Sequence, residues 1–183
     1  MTEGALSLTD QPGNGKQSLL ARKIAIFIAV GTFALDWVTK LLAETYLPPE
    51  EIKPLLGTLV SFQLIYNPGA AFSFLSGATW VFTAVAVIVL AAIAWALKHL
   101  ISIPWAVTLG LTAGGAAGNL FDRLFRQPGF GRGHVVDFIN YNGFFVGNMA
   151  DIAICVAAIL IIILAVKNIP LDGGSKHSES ESS

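Results

Sequence analysis

The chain has 183 residues, of which 54% are hydrophobic and only 13% charged, and its net charge is −1. Soluble domains carry about 25% charged residues, so this balance, with a mean hydropathy of +0.67, points to a polytopic membrane protein of one compact domain and excludes a broadly basic nucleic-acid binder. The single cysteine, Cys155, excludes an internal disulfide, and its apolar neighbours predict a buried structural thiol.

Residues 1–21 are polar and rich in Gly, Ser, Thr and Gln, and are expected to form a disordered cytoplasmic tail. Arg22 and Lys23 then open an apolar segment from Ile24 to about Leu47. At ~1.5 Å per residue it can cross a hydrocarbon core of ~30 Å. Asp36 and Lys40 lie inside it at i,i+4 spacing and so share a helix face. They read as a self-neutralising pair that makes insertion tolerable, and equally as support for a polar site. Pro48 and Pro49 end the helix.

Thr58 to Tyr66 is rich in β-branched and aromatic residues and predicts a short strand at the membrane surface, followed by the turn signal Asn67-Pro68-Gly69. Phe62 and Phe72 suit a platform lying on lipid, or ordinary packing beneath a loop. Trp80 to Leu97 is a uniformly apolar second span, ended by Lys98 and an interfacial His99. A third span runs from Pro104 to about Leu120. Its small residues, Gly110, Gly114, Gly115 and Gly118 among them, predict close helix packing. Asp122 to Asn142 is predicted as a polar loop carrying Arg123, Arg126, Arg132, His134 and Asp137. Phe144 to Val166 is the fourth span, with Asn148 and Asp151 in its first turns, and residues 168–183 form a second disordered tail.

Four spans put both termini on one side. Lys16, Arg22, Lys23, Lys98, Lys167 and Lys176 lie there, against Lys53, Arg123, Arg126 and Arg132 on the other side, which favours cytoplasmic termini. The polar stretch from Gly114 to Asp151 then clusters at the outer leaflet. A charged aspartate at a helix centre costs roughly +2.5 to +3.5 kcal/mol on insertion scales, so Asp122, Asp137 and Asp151, in or beside apolar sequence, mark a site. Asp137 and Asp151 are 14 residues apart, a separation that a folded-back chain can close. Two close carboxylates hold one proton between them, the logic of aspartic proteolysis. No Ser, Cys or Lys has a partner base at a comparable place, and no zinc motif occurs. A small proton-coupled transporter and a lipid-binding assembly protein remain open on these residues alone.

Five segments together resemble the lipoprotein signal peptidases, or signal peptidase II: Asp36-Trp-Val-Thr-Lys40, Asn67-Pro-Gly-Ala-Ala-Phe72, Gly114 to Arg123, Val135-Val-Asp137-Phe138, and Asn148-Met-Ala-Asp151-Ile-Ala-Ile154. The resemblance covers residues 22–167 and implies an all-α polytopic membrane peptidase domain. That domain has four transmembrane helices and a small extracytoplasmic β-cradle, in the bacterial inner membrane. It implies an aspartic endopeptidase that removes the signal peptide from diacylglyceryl-modified prolipoproteins, just before the lipidated cysteine. Asp137 and Asp151 would be the catalytic dyad. Asn67, Asn119, Asp122, Arg123, Asn148, Asp36 and Lys40 would support the site or bind substrate. No metal or other cofactor is expected. The partners are the prolipoprotein substrate and membrane lipid, and the chain is expected to act as a monomer. One departure is Gly147, where the family usually has Phe before the Asn of the last segment; the loop Arg126 to Gly133 is also longer than is common.

Overall fold

The computed structural model describes residues 12–49, 51–69 and 79–174. The Ala70 to Phe72 part of the second motif, and with it Phe72, lies outside the described residues. Among them the chain forms four α-helices, α1 (Pro12–Tyr46), α2 (Thr79–Ala96), α3 (Ile103–Phe125) and α4 (Met149–Val166), with a small sheet between the first and last. The stretches Gly15–Tyr46, Thr79–His99 and Met149–Val166 are long and apolar enough to cross a membrane. Their outer faces are covered with apolar side chains such as Phe27, Ile88, Trp95 and Ile162. Cys155 belongs to that exposed surface of α4, not to the buried core that its neighbours predicted.

α3 is the central helix, packed against α1, α2 and α4. The glycines that dilute its hydropathy are the reason it can be central. A Cβ at Gly110 would stand 2.7 Å from the Ala25 carbonyl oxygen, and one at Gly114 would stand 2.6 Å from that of Ala29. One at Gly115 would stand 2.7 Å from the Ala150 carbonyl oxygen of α4. At Gly118 a Cβ would overlap the Asp36 carboxylate. Gly110, Gly114 and Gly118 thus form one stripe against α1, four residues apart, as close packing requires.

Residues 12–21, expected in a disordered tail, continue α1. Packing begins at the end of that stretch. Ala21 and Ala25 are buried against Leu100 and Ala106, with Leu171 packed on the same cluster. The carbonyl oxygen of Leu171 accepts from the N–H groups of Ile101 and Ser102, and Trp105 Nε1 donates to the Ile169 oxygen at 2.8 Å. Residues 168–174 are therefore folded onto the same end of the bundle. Arg22 Nη2 donates to the Lys98 carbonyl there at 2.6 Å, which joins the start of α1 to the end of α2.

At the opposite end lies a four-stranded antiparallel sheet, β1 (Lys53–Leu56), β2 (Val60–Asn67), β3 (Val135–Asn140) and β4 (Val146–Gly147), in that spatial order. The predicted strand is β2. The predicted loop after Leu120 is different in detail: Asp122 and Arg123 lie in the last turns of α3, and Val135 to Asn140 is a strand. The fourth helix begins at Met149 rather than Phe144, because Asn142 and Gly143 turn the chain back as a hairpin, with φ of 52° and 80°. Positive φ at both central residues marks the turn from Tyr141 to Phe144 as type I′, which Asn-Gly favours. Phe62 is partly buried against the cluster of Ala43, Leu64, Val136 and Phe138, so its role in the structure is packing beneath the sheet.

The glycine stripe generates a direct test. Gly114→Ala should lower the unfolding temperature of detergent-purified protein by the equivalent of about 1–3 kcal/mol, as overpacking does. Gly31→Ala, where a Cβ meets nothing within 4 Å, should leave it unchanged or slightly raised.

Candidate active site

Alternation along β3 decides which side chains meet. Val136 and Phe138 point into the cluster against α1, and Asp137 points to the other face, where it is 2% exposed. Across the strand pair, a register shift in β2 between Phe62 and Ile65 brings Asn67 opposite Val135. Such bulges re-aim side chains. Asn67 Nδ2 donates to Asp137 Oδ2 at 2.7 Å.

Asp151 comes from the first turn of α4, where it has two duties. Its Oδ2 accepts from the Asn148 backbone N–H at 3.0 Å, while Asn148 Oδ1 accepts from the Asp151 N–H at 3.1 Å. This is a reciprocal capping box at the helix N-terminus. The second Asp151 oxygen, Oδ1, accepts from Asn119 Nδ2 at 3.0 Å. The buried Asn148 completes the join, because its Nδ2 donates to Asp137 Oδ1 at 2.7 Å. One asparagine side chain therefore touches both aspartates.

Behind this pair runs a chain of alternating charge. Lys40 Nζ lies 2.7 Å from Asp36 Oδ2 and 2.8 Å from Asp122 Oδ2, and donates to Asn119 Oδ1 at 3.1 Å. Lys40, Asp36 and Asp122 are all 1% exposed or less. Asp36 Oδ1 accepts the Ala150 N–H of α4 at 2.9 Å, and Asp122 Oδ2 accepts the Val136 N–H of β3 at 3.2 Å. Each of these two carboxylates thus holds a backbone next to Asp151 or Asp137. Arg126 continues the chain outward, donating from Nε to Asp122 and from Nη1 to Glu44 at 2.6 Å.

All nine residues singled out in the sequence are brought to this one region. Asp122 is not paired with Arg123, however, but with Lys40 and Arg126. Arg123 turns the other way, its guanidinium 5.1 Å from the centre of the Phe82 ring and its Nη1 buried without a hydrogen-bond partner among the described residues. Glu44 and Arg126 were missed as site residues. The available signal was spacing: Glu44 is four residues beyond Lys40 and Arg126 four beyond Asp122, on the same helix faces.

The two aspartates open on a cleft. A cavity of about 140 Å³ is lined by both of them with Asn67, Asn119, Arg123 and Phe82. A second, of about 310 Å³, adjoins Asp137 beneath the Tyr141–Val146 hairpin. Burial pushes the Asp137 carboxyl up to about 7. Hydrogen bonds from Asn67 and Asn148 oppose the rise, and the nearby charge of Asp151 adds to it. A carboxyl raised this far can be neutral near neutral pH and so donate a hydrogen bond. Among the described residues no cluster of three or more His, Cys, Asp or Glu is placed to hold a metal ion.

Membrane-length apolar helices around a cleft with two linked aspartates define an aspartic peptidase of the membrane. The chain belongs to the signal peptidase II family: the family model described as signal peptidase (SPase) II matches residues 28–167. The chain is 42% identical over 161 residues to a lipoprotein signal peptidase of Mycobacterium avium, covering 88% of each protein. It is 39% identical over 176 residues to one of Leifsonia xyli, covering 94% of this chain and 81% of the relative. A solved structure described as a bacterial membrane enzyme superposes with a TM-score of 0.71 at 29% identity, covering 87% of this chain and 94% of the other. A second superposes with a TM-score of 0.69 at 30% identity, covering 79% and 93%.

The charged network behind the two aspartates can be tested by stability. Lys40→Met leaves Asp36 and Asp122 buried without their shared cation, and should cost about 3–5 kcal/mol. Arg126→Gln should cost much less, since Arg126 is one-fifth exposed and Asp122 keeps Lys40. Thermal unfolding in detergent compares the two; equal losses would contradict the central place given to Lys40.

Proposed function

We propose that this peptidase removes the signal peptide from diacylglyceryl-modified prolipoproteins, cutting just before the lipidated cysteine, with Asp137 and Asp151 as its catalytic pair. The observation that carries the assignment is Asn148, whose side chain donates to the Asp137 carboxyl and whose backbone N–H donates to the Asp151 carboxyl at one cleft. Asp137, with its raised pKa, carries the proton and hydrogen-bonds the scissile carbonyl oxygen. Asp151 accepts a proton from water as the water oxygen bonds to the carbonyl carbon. The tetrahedral intermediate collapses with cleavage of the C–N bond, and the proton held by Asp151 passes to the leaving nitrogen. Asn67, Asn119 and Asn148 orient the carboxyl groups. Asp36, Lys40 and Asp122 hold the backbones on which they ride, and Arg123 faces the substrate side of the cleft.

In this reading α3 crosses the membrane together with α1, α2 and α4, giving four spans. Both termini are cytoplasmic, and the sheet and dyad lie at the outer surface of a bacterial inner membrane. Support comes from the positions of the basic residues and from the sheet lying at the end of the bundle opposite Arg22 and Lys98. There the cleft meets both water and lipid. The diacylglyceryl group adds buried apolar area at ~0.8 kcal/mol per CH₂, so lipid contributes to recognition. The protein acts as a monomer.

Two outcomes are expected. Detergent-purified protein should release a signal peptide from a lipidated precursor and cleave the unlipidated precursor poorly. Asp137→Asn and Asp151→Asn should each nearly abolish release, and the double variant should lose little more than either single one, because the two act as a unit. Normal turnover by a correctly inserted single variant would remove that residue from the pair. For topology, reporters fused after Lys167 and within 98–102 should read cytoplasmic, and one within 127–133 extracytoplasmic. An outward C-terminus would contradict four spans.

A further inference from the structure

Gly147 is buried in β4, immediately before the asparagine that joins the two aspartates. A Cβ there would stand 2.5 Å from Phe145 Cε1 and 2.8 Å from Asp151 Oδ2. The missing side chain therefore leaves room that the ring of Phe145 fills, directly beside the dyad. Gly147 is also the position at which the sequence departs from the family pattern.

The ring is held there by the hairpin that the Asn142-Gly143 turn creates. The Tyr141 N–H donates to the Phe145 oxygen at 2.8 Å, and the Phe144 N–H to the Tyr141 oxygen at 3.0 Å. The Gly143 N–H donates to Asn140 Oδ1 at 2.7 Å, and Asn140 Nδ2 to Gln63 Oε1 at 2.6 Å, which ties the hairpin to β2. Tyr141 stacks on Phe145 with ring centres 6.2 Å apart and planes 18° from parallel. Phe145 is 42% exposed, so one edge of the ring faces the open cleft.

Phe145 is also a wall of both cavities, the smaller one that holds the two aspartates and the larger one beneath the hairpin. Among the described residues, the walls of the larger cavity are apolar, from Ile65, Pro68, Phe144 and Val146, except for Asp137 and Asn67. An aromatic partition between a reaction chamber and an apolar chamber restricts what can pass from one to the other.

We propose that Phe145, seated in the space that Gly147 leaves open, is a specificity-determining residue. It sets the size of the apolar side chain that the substrate places beside the dyad, on the signal-peptide side of the scissile bond. The inference rests on the peptidase reading above and adds to it the subsite and the residue that bounds it. It concerns fit and not the chemical step, so its signature is a change in selectivity among precursors.

The experiment uses full-length protein and three lipidated precursors that carry Ala, Leu or Phe next to the lipidated cysteine, on its amino side. Removing the ring joins the two cavities. Phe145→Ala should raise the ratio of kcat/KM for the Phe precursor to that for the Ala precursor by about 10-fold or more, the discrimination that one to a few methylene-sized contacts supply. The change should fall mainly on KM. Phe145→Leu keeps an apolar side chain in the hairpin and should give a smaller shift in the same direction. It also guards against misfolding of the alanine variant. If both variants lower kcat/KM for all three precursors by one common factor, the ring is only structural and the inference is overturned. Wild-type protein that cleaves none of the lipidated precursors would overturn the peptidase reading itself, and this inference with it.

Discussion

One buried ammonium group organises this site. Lys40 lies in a largely apolar stretch of α1, and its charge is met by Asp36 and Asp122 with Asn119 as a further acceptor. A lone charge at such depth would not be tolerated, and two carboxylates without it would repel each other. The three charged side chains come from α1 and α3, so satisfying them fixes how those helices meet. The two carboxylates then hand the constraint on. Asp36 holds the Ala150 N–H at the start of α4, and Asp122 holds the Val136 N–H in β3. Those are the residues next to Asp151 and Asp137. The geometry of the dyad is thus a consequence of how the charge on Lys40 is neutralised.

Glycine makes this arrangement possible. The stripe on α3 lets the backbone of α1 come near enough for Asp36 to lie over Gly118. Larger residues there would separate the helices and part Asp122 from Lys40. Close packing and charge neutralisation are therefore the same event, which is why the glycine-rich helix occupies the centre of the bundle. The dyad itself sits in front of this network. Asp137 is buried deeply enough to be pushed up to about 7, despite two hydrogen bonds that favour its charged form. Its folded pKa lies above the ordinary 3.8, so the folded state binds the extra proton. The associated stability is complete below about pH 3.8 and is lost as pH rises through about 7.

The helices were legible in the sequence because runs of apolar residues of membrane length have few alternatives. The polar residues of the site were legible because charge in such runs demands a partner: Asp36 and Lys40 announce theirs by spacing, and the remaining residues stand in segments that carry the family resemblance. What was hidden came from tertiary structure. The fold of residues 168–174 depends on their packing against the segment between α2 and α3, where Ala21 is buried too, and no local pattern encodes it. The start of α4 was misplaced because Phe144, Phe145 and Val146 read as the continuation of an apolar helix. The Asn142-Gly143 pair before them was the signal for a hairpin. Pairing of Asp122 with Lys40 instead of its neighbour Arg123 follows from helix geometry, since adjacent residues point to different sides.

The central claim is that Asp137 and Asp151 hold one proton between them near neutral pH, with Asp137 as its carrier. Infrared difference spectroscopy of the purified protein across a pH titration reads this directly, through the C=O stretch of a protonated carboxyl group. A protonated-carboxyl band should persist well above pH 5, disappear as pH rises through about 7, the value to which burial pushes Asp137, and be missing in Asp137→Asn. A spectrum with no protonated carboxyl above pH 5, or one whose band survives unchanged in Asp137→Asn, would contradict it.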